Sequence, residues 1–179
     1  MLRQLVHGLR FLHSTVRYVH ADVEPKQLML IGGLDALLID VGVSGPVGRT
    51  IPGILYAGTV LFAADDVLAH MASGSMEQLA AQPHHDLVAL VKTAAALGDD
   101  MMEIGASIAQ CKIQEASSPQ EKAQIAEASW RDNLTLPPWQ RLVHDAHIAK
   151  TEAEYEVLCE NLIVSPALKN TWGVPSPLW

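Results

Sequence analysis

Apolar residues recur along the chain in two distinct rhythms. Leu2, Leu5, Val6, Leu9 and Leu12 follow one another at spacings of three and four. That spacing places them on one face and predicts an amphipathic helix over 2–14. The pattern starts at residue 2, so no upstream domain is expected. The rhythm then changes. Gln27 to Ile31 and Ala36 to Ile39 are short apolar runs on either side of Gly32-Gly33-Leu34-Asp35. Two such runs around a glycine turn predict a small β-hairpin. Residues 43–58 carry six Gly and Pro residues, which forbid a long helix or central strand. An extended surface loop is predicted, of a length that is often functional.

Beyond residue 62 the helical period returns. A short helix is predicted over 63–71 and a strongly apolar, central one over 85–97 (HDLVALVKTAAAL). Another is predicted over 100–115. Ser118-Pro119-Gln120-Glu121 is a helix start, with Ser as cap, Pro in the first turn and Glu three residues after the cap. Leu136-Pro137-Pro138 opens a helix through 149, and Thr151 to Glu154 repeats the capping logic for a last helix to about 164. The tail, 166–179, contains prolines and is expected to be irregular. The pattern thus predicts one mainly α domain over 1–165 with a small β-hairpin (α+β).

Composition narrows the classes of function. Hydrophobic residues make up 49% of the chain and charged residues 18%, ordinary for a globular domain. The formal net charge of −8 argues against nucleic-acid binding. No stretch reaches the ~18 apolar residues of a membrane span. No signal peptide is recognisable, so a cytoplasmic location is expected. Cys111 and Cys159 have no metal-ligand spacing and are read as buried free thiols. Asn133-Leu134-Thr135 matches a glycosylation acceptor but lacks a secretory context.

Two aspartates flank the hairpin, Asp22 and Asp40, 18 positions apart (22 to 40). In isolation each reads as a turn-former. Five motifs in chain order favour another reading. Leu5 to Val19 has the texture LxxLHxxxxxH. His20-Ala21-Asp22-Val23-Glu24-Pro25-Lys26-Gln27 is similar to His-Arg-Asp-Leu-Lys-Pro-x-Asn. Asp40-Val41-Gly42 is similar to Asp-Phe-Gly. Gly58 to Leu68 (GTVLFAADDVL) is similar to Gly-Thr-x-x-Tyr/Phe-Met-Ala-Pro-Glu-Val-Leu, and His85 to Leu90 resembles the opening of a central buried helix. Together they resemble the C-terminal lobe of the protein-kinase-like superfamily, closest in texture to casein-kinase-like and fungal-type protein kinases. The resemblance implies a catalytic loop at 20–27, a metal motif at 40–42 and an activation segment over 40–68. It implies Mg-ATP as the cofactor of any residual site.

The resemblance assigns roles residue by residue. Asp22 stands where the catalytic base orients a substrate hydroxyl and takes its proton. Asp40, with Gly42, stands where Mg²⁺ is held against the phosphates. Gln27 replaces the Asn that supplies a second metal ligand and is one methylene longer. Glu24 replaces the lysine that meets the phosphate. At ~4 Å and an effective dielectric of about 20, one such pair is worth about 4 kcal/mol, so the reversal opposes catalysis. Ala21 removes the arginine that would grip a phosphorylated loop, which leaves Thr50 a weak phosphosite candidate. His20, Asp66 and Asp86 take structural roles. Asp86 is expected to accept hydrogen bonds from the backbone of 20–22, and Asp66 to reach Arg131 or Arg141. No Gly-rich phosphate loop, strand lysine or partner glutamate lies in the sequence, so the lobe is expected without an N-terminal lobe.

The expected function is therefore a catalytically impaired kinase-like domain fragment (a pseudokinase) acting by binding protein partners. The alternatives are an active Ser/Thr-type kinase whose N-lobe lies outside this chain, and an unrelated helical interaction domain. The remaining candidates read blandly. Adjacent histidines, His84 and His85, should point apart and share no ion. His144 and His147 share a helix face but lack two further ligands, and are read as exposed. Trp130, Trp139, Trp172 and Trp179 are read as core or interface anchors.

Overall fold

The computed structural model describes residues 1–32, 35–52, 56–98, 100–134 and 136–165. Residues 33–34 of the hairpin turn, part of the Gly/Pro loop (53–55), Thr135 and the tail with Trp172 and Trp179 lie outside them.

The chain opens with α1 (Leu2–Phe11), whose Leu2, Leu5, Val6 and Leu9 are buried as their spacing requires. The helix widens into a π-helical turn over Leu12–Val16 and stops at Arg17, whose φ is +64°. A short strand β1 (Tyr18–Val19) leads into the loop 20–24 and a 3₁₀ turn at Pro25–Gln27. The hairpin follows as β2 (Leu28–Ile31) and β3 (Asp35–Leu38), in antiparallel register from Leu28 opposite Leu38 to Ile31 opposite Asp35. Gly32 enters the turn at φ +61°, a conformation open to glycine.

Among its described residues, the Gly/Pro segment holds β4 (Gly45–Pro46) and β5 (Thr50–Pro52), each two or three residues long. Proline and glycine are tolerated because both strands sit in two-stranded sheets: β4 pairs with β1, and β5 with β6 (Gln78–Ala80). The strand β6 carried no periodicity that would have announced it.

The remaining described elements are mostly helices: α2 (Asp65–Ala72), α3 (Pro83–Gly98), α4 (Asp100–Glu115), α5 (Pro119–Asn133), α6 (Pro137–Ile148) and α7 (Glu152–Val164). The fold is mainly helical with small antiparallel sheets, an α+β arrangement. Ser118 caps α5 by accepting from the Glu121 N–H, and Thr151 and Glu154 complete a capping box on α7. Helix α3 is buried almost all round and packs against α4, α6 and the 3₁₀ turn Val60–Phe62. A helix apolar on every face can only sit inside. Trp130 and Trp139 are buried, and the Trp130 indole donates to the Leu61 carbonyl. Cys159 is buried but Cys111 is exposed, which corrects the expectation for the second thiol. Among the described residues, no helix is long and apolar enough to cross a membrane.

Candidate functional site

Loop 20–24 is held from below by one carboxylate. Asp86, in the first turn of α3, is 1% exposed. Its Oδ2 accepts from the His20 N–H at 2.6 Å and pairs with His13 Nε2 at 2.8 Å. Its Oδ1 accepts from the Ala21 N–H at 2.8 Å. Ala21 adopts φ +67°, a left-handed conformation that costs an alanine roughly 1–2 kcal/mol. The Asp86 bonds supply the over-determination such strain requires. Tyr56 donates to the Ala21 carbonyl at 3.1 Å, and Gly58 packs against the same oxygen. A Cβ on Gly58 would lie 2.1 Å from it, so only glycine fits.

His20 couples the loop to the hairpin. It is buried, its Nε2 lies 3.1 Å from the Ile39 carbonyl, and its Nδ1 accepts from the Asp22 N–H at 3.3 Å. The Asp22 N–H therefore requires the proton on Nε2, which donates to Ile39. The Ile39 N–H in turn donates to the Gln27 carbonyl at 2.8 Å. One imidazole thus ties the backbone at Asp22 to the residue before Asp40, at the open end of the hairpin.

The side chains above this frame differ in their freedom. Asp22 is half-buried; its Oδ1 accepts from the Thr59 N–H at 2.6 Å, and the Gln27 amide nitrogen approaches Oδ2 at 3.5 Å. Asp40 is exposed at φ +61°, and among the described residues its carboxylate accepts only from the Gly42 N–H, at 3.1 Å. Glu24 is buried. Burial raises its pKa above the ordinary value, and the charge of Asp22 adds to the shift, while a Thr59 hydrogen bond and Lys26 oppose it. A hollow of about 340 Å³ beside this loop is lined by Glu24, Pro25, Lys26 and Phe62, and not by Asp40.

Three groups that pattern reading did not single out complete the frame. The Tyr155 hydroxyl lies 2.7 Å from His13 Nδ1, so His13 bridges α7 to Asp86. Burial and the Asp86 charge push the Tyr155 hydroxyl up to about 12. Lys92, fully buried in α3, donates to the Ala63 carbonyl at 2.6 Å and pairs with Asp65 at 2.8 Å. Burial lowers its pKa against the raising effect of Asp65. A lone lysine amid LVALVKTAAAL was the available signal.

Asp66 departs from expectation. Neither Arg131 nor Arg141 is its partner; Arg131 pairs with Asp132 at 3.7 Å. Instead His84 Nε2 and His85 Nε2 approach Asp66 Oδ2 at 2.8 and 3.2 Å. The adjacent histidines therefore converge rather than diverge. They stand in the first turn of α3, where side chains lean toward the helix N-terminus and meet a group beyond it. Burial disfavours the Asp66 charge, but the two imidazole hydrogen bonds outweigh it and hold the carboxyl well below the usual range. His144 is exposed as expected, whereas His147 is half-buried, its ring centroid 5.1 Å from that of His84.

No protein-family model matches this chain, and no curated protein does. What the site can do follows from its own geometry.

Proposed function

We propose that this chain is a protein-kinase-like C-terminal lobe, catalytically impaired, that acts by binding protein partners. The supporting observation is the Asp86 node, which fixes the left-handed backbone at Ala21 and, through His20, sets Asp22 and Asp40 on one hydrogen-bonded frame. On this reading Asp22 is base-like, and Asp40 with Gln27 offers the hard oxygen donors that suit Mg²⁺.

The polyphosphate half of Mg-ATP does not fit. Glu24 stands beside Asp22 where the kinase pattern has a lysine, and it adds negative charge to a place that must receive phosphate. The Asp22 Oδ1 is already engaged by Thr59. Binding is therefore the function assigned, and no transfer step is derived.

The test is Mg-ATP binding by thermal shift, together with a phosphorylation assay on the purified chain. Neither a shift nor transfer is expected from the wild type. Glu24→Lys should create an Mg-ATP-dependent shift that Asp40→Asn removes. ATP-dependent phosphorylation by the wild type, lost in Asp22→Ala, would overturn the impairment. No shift in Glu24→Lys would favour an unrelated helical interaction domain.

One observation favours a second reading, an active Ser/Thr-type kinase completed by a lobe outside this chain. Met29, Leu30 and Ile31 are 43, 57 and 52% exposed on the hairpin, and Val41 is 64% exposed. An apolar rim of that kind suits a covering lobe or partner.

A further inference from the structure

Two histidine motifs that look inert in the sequence meet in the fold. The pair His84-His85 lies at the start of α3, and His147 near the end of α6 reaches the same place. Asp66, from the first turn of α2, faces the His84-His85 pair there. The ligand atoms of Asp66, His84 and His85 all lie within 4.8 Å of one another.

We propose that Asp66, His84 and His85 form a binding site for a zinc-class divalent cation, with His147 beside its open coordination position. The proposal does not depend on the kinase-like reading.

The geometry supports it first. A tetrahedral ion with bonds of about 2.0–2.1 Å holds its ligands about 3.3 Å apart. The two nitrogen–oxygen separations here are 2.8 and 3.2 Å. One must widen by about half an ångström. The side chains are partly exposed, so they can move and the ion can enter.

The donor chemistry supports it second. Two imidazoles and one carboxylate select zinc and its neighbours over Mg²⁺ or Ca²⁺, which prefer all-oxygen shells. The negative charge of Asp66 suits a cation.

The protons balance as follows. In the metal-free protein His85 Nδ1 accepts from the Gln82 N–H at 3.2 Å, so its proton sits on Nε2 and faces Asp66. The cation replaces that proton. The ring carries it on Nδ1 instead and gives up the long Gln82 bond. His84 makes the same tautomer change without that exchange. The consequence is a clasp between two elements. The ion ties α2, which follows the Gly/Pro loop and the turn Val60–Phe62, to the start of α3, which carries Asp86.

The experiment is titration of the tag-free full chain with Zn²⁺ by calorimetry, with Co²⁺ as a spectroscopic probe. One saturable site is expected, and Co²⁺ should give the visible absorption of a tetrahedral site. Asp66→Asn and His84→Gln should each weaken binding more than about 100-fold, beyond the loss typical of outer-shell partners. If either variant loses the wild-type far-UV circular dichroism, His85→Gln serves in its place with the same expectation. Absence of saturable binding would overturn the site. So would binding that survives in the folded variants, since other histidines would then hold the ion.

Discussion

Asp86 and Asp40 belong to the same loop-and-hairpin frame and are held in opposite ways. Asp86 is 1% exposed and engages two backbone N–H groups and an imidazole. Asp40 is exposed and accepts, among the described residues, only from a neighbour two positions on. The first carboxylate is spent on the shape of the backbone. The second keeps an oxygen for something outside the chain. A site of this type needs both kinds, because a free carboxylate is placed well only when a buried one has fixed the loop beneath it. Glu24 is the exception, buried beside Asp22, where Thr59 and Lys26 offset only part of the cost of its charge.

Removing the buried carboxylate should have the largest effect. Asp86→Ala leaves the His20 and Ala21 N–H groups and His13 without their partner in a dry site. A loss of about 3–5 kcal/mol is expected, the range for breaking a buried charged network. Urea denaturation followed by circular dichroism measures it. A loss under about 1 kcal/mol would mean that the loop is held by something else, and the contrast with Asp40 would fail.

Tyr155→Phe tests the same node from its far side. Loss of the His13 hydrogen bond should cost about 1 kcal/mol at pH 7. The pH dependence is the sharper readout. The Tyr155 hydroxyl is raised to about 12 in the folded chain, against 10 when unfolded. Between those values the unfolded state sheds its proton first, so stability falls as pH rises from about 10 to about 12. The Phe variant should show a shallower fall over that window. An unchanged slope would mean that burial and the Asp86 charge do not raise the Tyr155 hydroxyl.

Some of this was legible before any coordinates. The hairpin between Asp22 and Asp40, the Ser118 cap and the Thr151 capping box are local, and local chemistry writes itself into the sequence. The backbone grip of Asp86 came only through resemblance, since no spacing rule links residues 20 and 86. The Asp66 cluster was missed because the rule that neighbouring side chains diverge holds within a helix. It lapses at the first turn, where both chains lean past the end of the helix to one acceptor. The strand β6 was missed because its partner β5 is a Thr-Ile-Pro segment, too short for alternation to show.

Glu24→Gln should have a smaller effect, and of opposite sign. Burial, with the Asp22 charge, raises the folded pKa of Glu24 above its unfolded value of 4.5. The folded state therefore binds the proton more tightly. The associated stability is present below pH 4.5 and is lost as pH rises through the folded value. Removing the ionisable group should make the variant's stability decline less between pH 4 and pH 7 than that of the wild type. The difference at pH 7 is expected to stay within about 1 kcal/mol. Equal slopes for the two proteins would remove Glu24 as the misplaced charge.

The smallest effect is expected at Asp40, and it is the most informative in proportion. Asp40 adopts φ +61°, where Asn is tolerated about as well as Asp and other residues are not. Asp40→Asn keeps the oxygen that accepts from the Gly42 N–H and removes only the charge. Stability should therefore stay within about 0.5 kcal/mol of the wild type. Asp40→Ala removes the side-chain oxygen and the left-handed tolerance together, and should cost about 1 kcal/mol more. Equilibrium unfolding of the three proteins separates these terms. If Asn were as damaging as Ala, the charge itself would be holding the fold. Asp40 would then belong with Asp86 as framework, with no oxygen to spare for a cation.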